Sequence, residues 1–244
     1  MKNILIESLD SYTSNAKLVL LFSIPFIIAF LIPMLAPLPT YISGGAIFLR
    51  TASLFANNLS AFGIAVIIVS LFFSLLFISF AIVAIALVIK SQKTHTRISE
   101  RIMSSVERYI GKVFVLLLFY LLAVLFANVI GYMVNAQQWL TPLVGFLLFL
   151  LIFYAPGSIV IGEKRIANAV RESISLLFRQ PGYVALWLIA IVVAVSLLDY
   201  AIVHVTGTVA GAYIMLLANS LLVLPYFVIM QIESYMRKFA LLKH

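Results

Sequence analysis

Cysteine is absent from this chain of 244 residues, and charge is scarce, with only 10% Asp, Glu, Lys and Arg. The first absence excludes disulfides, thiolate nucleophiles and thiolate metal sites. The second leaves eight carboxylates and three histidines for any acid–base chemistry. His95, His204 and His244 stand in three separate places, so no metal site is expected. There is no His-Glu-x-x-His for zinc, no Gly-x-Ser-x-Gly elbow and no phosphate loop ending in Gly-Lys-Ser/Thr. The residues thus point to a protein that is not an enzyme, with no catalytic residue, metal or cofactor.

What the chain has instead is hydrocarbon. Hydrophobic residues make up 64% of it, well outside the range of a soluble domain. A bilayer core needs roughly 20 consecutive apolar residues per helix. Six stretches supply them: Leu18–Ala36, Phe62–Ile89, Val113–Met133, Leu140–Ile161, Tyr183–Val205 and Val209–Gln231. Neither of the longest connecting pieces, Pro37–Ala61 and Lys90–Lys112, is long enough to bury a core. One membrane domain over residues 1–244 and no soluble domain is the expectation.

The net charge of +8 reads as topology rather than as affinity for nucleic acid. Two basic residues precede the first span, six lie in Lys90–Lys112, four follow Ile161 and three follow the last span. Arg50 stands alone on the other side. Short loops rich in Lys and Arg stay in the cytoplasm and meet the anionic leaflet. Both termini are therefore expected inside a plasma membrane, with Arg50, Trp139 and Thr206 outside. Glu7 and Asp10 interrupt any early apolar run, so the first span is expected to be retained rather than cleaved.

An internal repeat organises the chain into three helical hairpins, at about 1–89, 96–161 and 164–235. Aligning Ser8, Ser105 and Ser173 brings three apolar stripes into register: Leu5, Leu9, Tyr12; Ile102, Val106, Tyr109; and Val170, Ile174, Leu177. Spacings of three and four place each set on one helical face. Charged residues take the other faces, among them Glu107 and Arg108 in the second copy and Arg165, Arg171 and Glu172 in the third. Short basic amphipathic helices beside a span belong in the membrane interface. Up to three such helices are expected, with breaks near Gly111 and at Pro181-Gly182, where proline disfavours helical geometry at Gln180. The alternative is that each is only the end of a long span. Pro156 and Pro225 mark corresponding even-numbered spans. The even span of the first hairpin has no proline and, at ~42 Å, exceeds the ~30 Å hydrocarbon thickness. On the outer side, the stretch Ala46–Asn57 is expected to form a helix with Ile47, Phe48, Leu54 and Phe55 on one face.

The stretch Pro156–Leu186 resembles the polytopic membrane domain associated with glycerophosphodiester phosphodiesterases, and related stand-alone membrane proteins. The shared features are a proline in a span, an acidic residue at its inner end, and an Ala-x-x-x-Ser amphipathic helix leading to the next span. Here they are Pro156, Glu163, Ala169 and Ser173, with Leu176 following. The resemblance implies a fold type and a membrane address, and brings no catalytic residue with it.

Asp199 is the one carboxylate inside a span. A charge at the bilayer centre costs roughly 2.5–3.5 kcal/mol on insertion scales, which the other residues of its helix offset. With Asn128 in the third span and His204 five residues later, it forms a candidate intramembrane polar cluster that lines a cavity or relays protons. The competing reading places Asp199 at the wetted outer interface or in an interhelical hydrogen bond. Ser70, Ser74, Asn219, Ser220 and the pair Gly207/Gly211 are read as packing positions. The function expected from all this is that of a scaffold or accessory subunit, whose partners are the lipid bilayer and other membrane proteins. The alternative is a transport component whose basic loops dock on a cytoplasmic ATPase.

Overall fold

The computed structural model describes residues 4–35, 40–43, 46–49, 61–94 and 101–237. Apart from one short hairpin it is helical. In chain order the helices are α1 (Ile4–Ser14), α2 (Ala16–Leu35), α3 (Ala61–Lys93), α4 (Arg101–Met133), α5 (Gln137–Ile152), α6 (Ala155–Val160), α7 (Ile166–Arg179), α8 (Pro181–Thr206), α9 (Thr208–Ala218) and α10 (Leu224–Met236). A π-helical turn, Asn219–Val223, joins α9 to α10. Six helical stretches are long and apolar enough to cross a membrane: α2, α3, α4, α5 with α6, α8, and α9 through α10.

Three of these stretches form an inner bundle. The second half of α3, α6 and the second half of α10 pack against one another. Their side chains are almost wholly enclosed: residues 81 and 83–89 of α3, 155–160 of α6 and 227–236 of α10 are all buried. Small residues make this close approach possible, with Ala81, Ala84, Ala86, Ala155, Gly157 and Ser158 at the contact. Helices in hydrocarbon gain little by hiding apolar surface from lipid, so close packing and polar contacts must hold them. α2 lies along α3, and α4 bridges α3 and α5. α8 sits at the periphery, where Val184 is its one buried residue. The most completely buried part of this packing lies at one end, which also carries Lys90, Lys93 and Glu163 and is called here the basic end.

The prolines explain why two inner stretches are segmented. Proline has no N–H for the carbonyl four residues back, and its ring crowds that carbonyl. α5 stops at Ile152 and α6 restarts with Pro156 in its second position; α10 restarts in the same way with Pro225, after the π-helical turn. α3 has no proline and runs unbroken for 33 residues, about 50 Å.

Two expectations are corrected. Residues 46–49 are not helical: Thr40–Ser43 and Ala46–Leu49 pair as antiparallel strands, Tyr41 opposite Phe48 and Ile42 opposite Ile47. β-branched and aromatic residues favour such cross-strand pairs, and the two glycines between them in sequence suit a tight hairpin. The rest of the Ala46–Asn57 stretch, with Arg50, lies outside the described residues. Second, no break occurs at Gly111, because α4 runs continuously from Arg101 to Met133. A mid-helix glycine costs only about 1 kcal/mol, too little to end a helix. The break at Gln180 does occur: its φ of −135° and ψ of 53° separate α7 from α8.

Candidate functional site

Proline breaks expose backbone groups, and in a dry interior each must find a partner. Leu221, four residues before Pro225, loses its helical partner. Its carbonyl accepts instead from the Tyr12 hydroxyl at 2.9 Å, reached from α1. At the α5–α6 break the Tyr154 amide donates to Ser173 Oγ on α7 at 2.9 Å. The Phe153 carbonyl accepts from the Gln231 side chain on α10. Helices distant in sequence are thus stitched together where the inner stretches are interrupted.

Two glutamates complete the stitching. Glu233 on α10 is fully buried and accepts from Ser8 Oγ at 2.6 Å and Ser11 Oγ at 2.5 Å, while Lys93 of α3 lies 3.3 Å away. Glu172 on α7 accepts from Ser158 of α6 and from the Tyr235 hydroxyl of α10 at 3.0 Å, with Lys164 at 2.9 Å. Each buried carboxylate therefore has two hydroxyl donors and an ammonium group, drawn from other parts of the chain. Buried charge persists only with such partners. Glu172 was expected on the solvated face of its helix with Arg171. Arg171 is exposed, but Glu172 is only 8% exposed and turns inward beside Ala169, Ser173 and Leu176.

A third carboxylate closes the basic end. Glu163 pairs with Lys90 at 2.8 Å, and Lys90 also donates to the Val160 carbonyl at 3.3 Å. The Lys90 hydrogen bond and charge hold the Glu163 carboxyl below the usual carboxylate range. Its backbone φ is 54°, a left-handed conformation that suits glycine and costs other residues energy. Glu7 and Arg237 form the last pair at 2.6 Å, and Arg237 also donates to Tyr183 at 3.2 Å. A side chain on Gly162 would come within 2.6 Å of the Tyr235 hydroxyl, so glycine there leaves Tyr235 room to reach Glu172.

The intramembrane candidates have unlike settings. Asn128 is buried on α4 and accepts from Thr141 of α5 at 3.1 Å. Asp199 is partly exposed on α8, and His204 is exposed, stacked on Tyr200 with ring centres 5.8 Å apart. Gly207, with φ of 79°, makes the turn into α9, and Gly211 approaches Val203 so closely that a Cβ would lie 3.0 Å from its Cα. Among the described residues no three His, Asp or Glu side chains come together as a metal site would need. The residues that do come together, Glu172 and Glu233 with their serines and lysines, carried one sequence signal. Ser8 and Ser11, which hold Glu233, lie on the buried side of the amphipathic helix α1, where a hydroxyl needs a partner; Ser158, which holds Glu172, lies inside an apolar span and carried no such signal.

Comparison with protein-family models, curated proteins and solved structures finds no match to this chain.

Proposed function

We propose that the chain is a non-enzymatic, multi-pass protein of the plasma membrane that acts as a scaffold or accessory subunit, by association with lipid or with other membrane proteins. The observation that carries this reading is the fate of the buried carboxylates. Glu172 and Glu233 each join three parts of the chain, which is the work of a structural tie. The peripheral helix α8, with Ile189, Val193, Leu197 and Tyr200 exposed, offers a long lateral face to a neighbour in the bilayer.

In this reading the basic end faces the cytoplasm, as the distribution of Lys and Arg requires. α1 and α7 are its interfacial helices, each a separate element ahead of a span, and the chain is a threefold repeat. Support for the repeat comes from the packing: α1 rests on α10, the start of α4 on α3 and α7 on α6. Each amphipathic segment thus lies on the even-numbered span of the preceding hairpin, with the first closing the ring onto the third. The aligned serines Ser8 and Ser173 both make buried hydrogen bonds in these contacts. The likeness of Pro156–Leu186 to the phosphodiesterase-associated membrane domain agrees with the same address.

A second reading, a transport component, is favoured by the exposed outer face of α7, with Arg171 and Phe178 open to a cytoplasmic partner. Photocrosslinkable residues at Val193 and Arg171, used in intact cells, decide between the two. A discrete membrane-protein adduct from Val193 is the expected result. A cytoplasmic ATPase captured from Arg171 overturns the scaffold reading in favour of transport.

A further inference from the structure

We propose that the cavity at the α7–α8 break binds the headgroup of an anionic phospholipid from the surrounding bilayer. The proposal rests on the membrane reading above and adds a site and a lipid class to it. The cavity is an open notch of about 660 Å³, lined by Arg179, Gln180, Pro181, Gly182, Tyr183 and Leu186. It exists because the chain leaves helical geometry at Gln180 and restarts at Pro181, so the two helices diverge around an open notch.

The lining is amphiphilic in the sense a lipid requires. Arg179 and Gln180 supply a guanidinium and an amide, and Leu186 supplies an apolar wall one turn further along α8. Among the described residues no carboxylate pairs with Arg179, whereas neighbouring Arg237 is held by Glu7 at 2.6 Å. Tyr183 accepts from Arg237 through its hydroxyl oxygen, which leaves its own O–H proton to donate. A guanidinium fork without a carboxylate partner suits a phosphate oxygen pair. The position fits as well: Phe178, next to Arg179, is 77% exposed, as an aromatic at the headgroup boundary would be.

Trp187 lies one turn beyond Tyr183, and the chain has only two tryptophans. The protein with Trp139→Phe therefore carries a single tryptophan, on α8 within two turns of the notch. It is reconstituted in phosphatidylcholine vesicles containing increasing fractions of brominated phosphatidylglycerol, or of brominated phosphatidylcholine as the reference. The expected result is saturable quenching at lower fractions of the anionic lipid. Arg179→Gln should shift half-quenching to about fivefold higher fractions, the effect of one basic residue at an anionic surface. Arg171→Gln, an equal loss of charge on the exposed face of α7, should shift it distinctly less, by the general surface attraction alone. Equal quenching by the two brominated lipids overturns the site while leaving membrane insertion intact. Equal shifts from both arginine variants also overturn it, since they trace the preference to overall charge. Relief of quenching by millimolar inorganic phosphate overturns the lipid as occupant in favour of a soluble anion.

Discussion

Glu163 shows how one residue at the basic end balances two costs. Its left-handed backbone is unfavourable for any residue but glycine, and its carboxylate is stabilised chiefly by the hydrogen bond from Lys90. A carboxyl held low in the folded state adds stability above its unfolded pKa, near 4.3, and loses it as pH falls through the lower folded value. The side chain is 58% exposed, so the contribution is small and is screened by salt. Thermal unfolding in mild detergent should therefore show wild type above Glu163→Gln at neutral pH. The two should converge only as pH falls below the lowered folded value, where the wild-type carboxyl is also neutral. A gap that persists unchanged at low pH would place the stabilising interaction elsewhere than in the charge pair.

At the scale of elements, Pro156 and Pro225 mark where two inner stretches are interrupted, whereas α2 continues through Pro25 and α5 through Pro142, and side chains from other elements serve the interruptions. Tyr12 on α1 serves the carbonyl of Leu221 that Pro225 leaves open. Tyr12→Phe should then cost about 0.5–1.5 kcal/mol, the net worth of one hydrogen bond at this part-buried site. In a Pro225→Ala background the backbone regains an N–H at position 225 that can reach Leu221, so the same tyrosine change should cost much less. The double-mutant cycle measures that coupling directly; additive costs would show that Tyr12 acts by packing alone. These breaks were partly legible in the sequence. The apolar runs marked the six spans, and Pro181-Gly182 marked the end of α7, because proline acts on its own neighbours. Gly111 misled because glycine weakens a helix without breaking it. The pairing of 40–43 with 46–49 was missed because Ile47 and Phe48 also fit one face of an amphipathic helix, and so short an apolar run does not separate strand from helix.

For the molecule as a whole, polar interactions concentrate at the basic end, while the far halves of α4 and α8 present apolar side chains outward. The pairings at that end could not be read from the sequence, because many join distant residues, Ser8 and Glu233 being 225 positions apart and Lys90 and Glu163 being 73. Charge rarity instead drew attention to Asp199, whose span contains no other acid or Lys/Arg to explain it. The two carboxylates make opposite predictions. Glu233→Ala leaves Ser8, Ser11 and Lys93 around an empty acceptor position, and breaking a buried pair in this way costs roughly 3–5 kcal/mol. Asp199 is partly exposed on a peripheral helix, and Asp199→Asn keeps its shape, so a change within about 0.5 kcal/mol is expected. Thermal unfolding of both variants in the same detergent makes the comparison. If Asp199→Asn proves the more damaging of the two, the far end holds a polar tie of its own, and the scaffold cannot be anchored at the basic end alone.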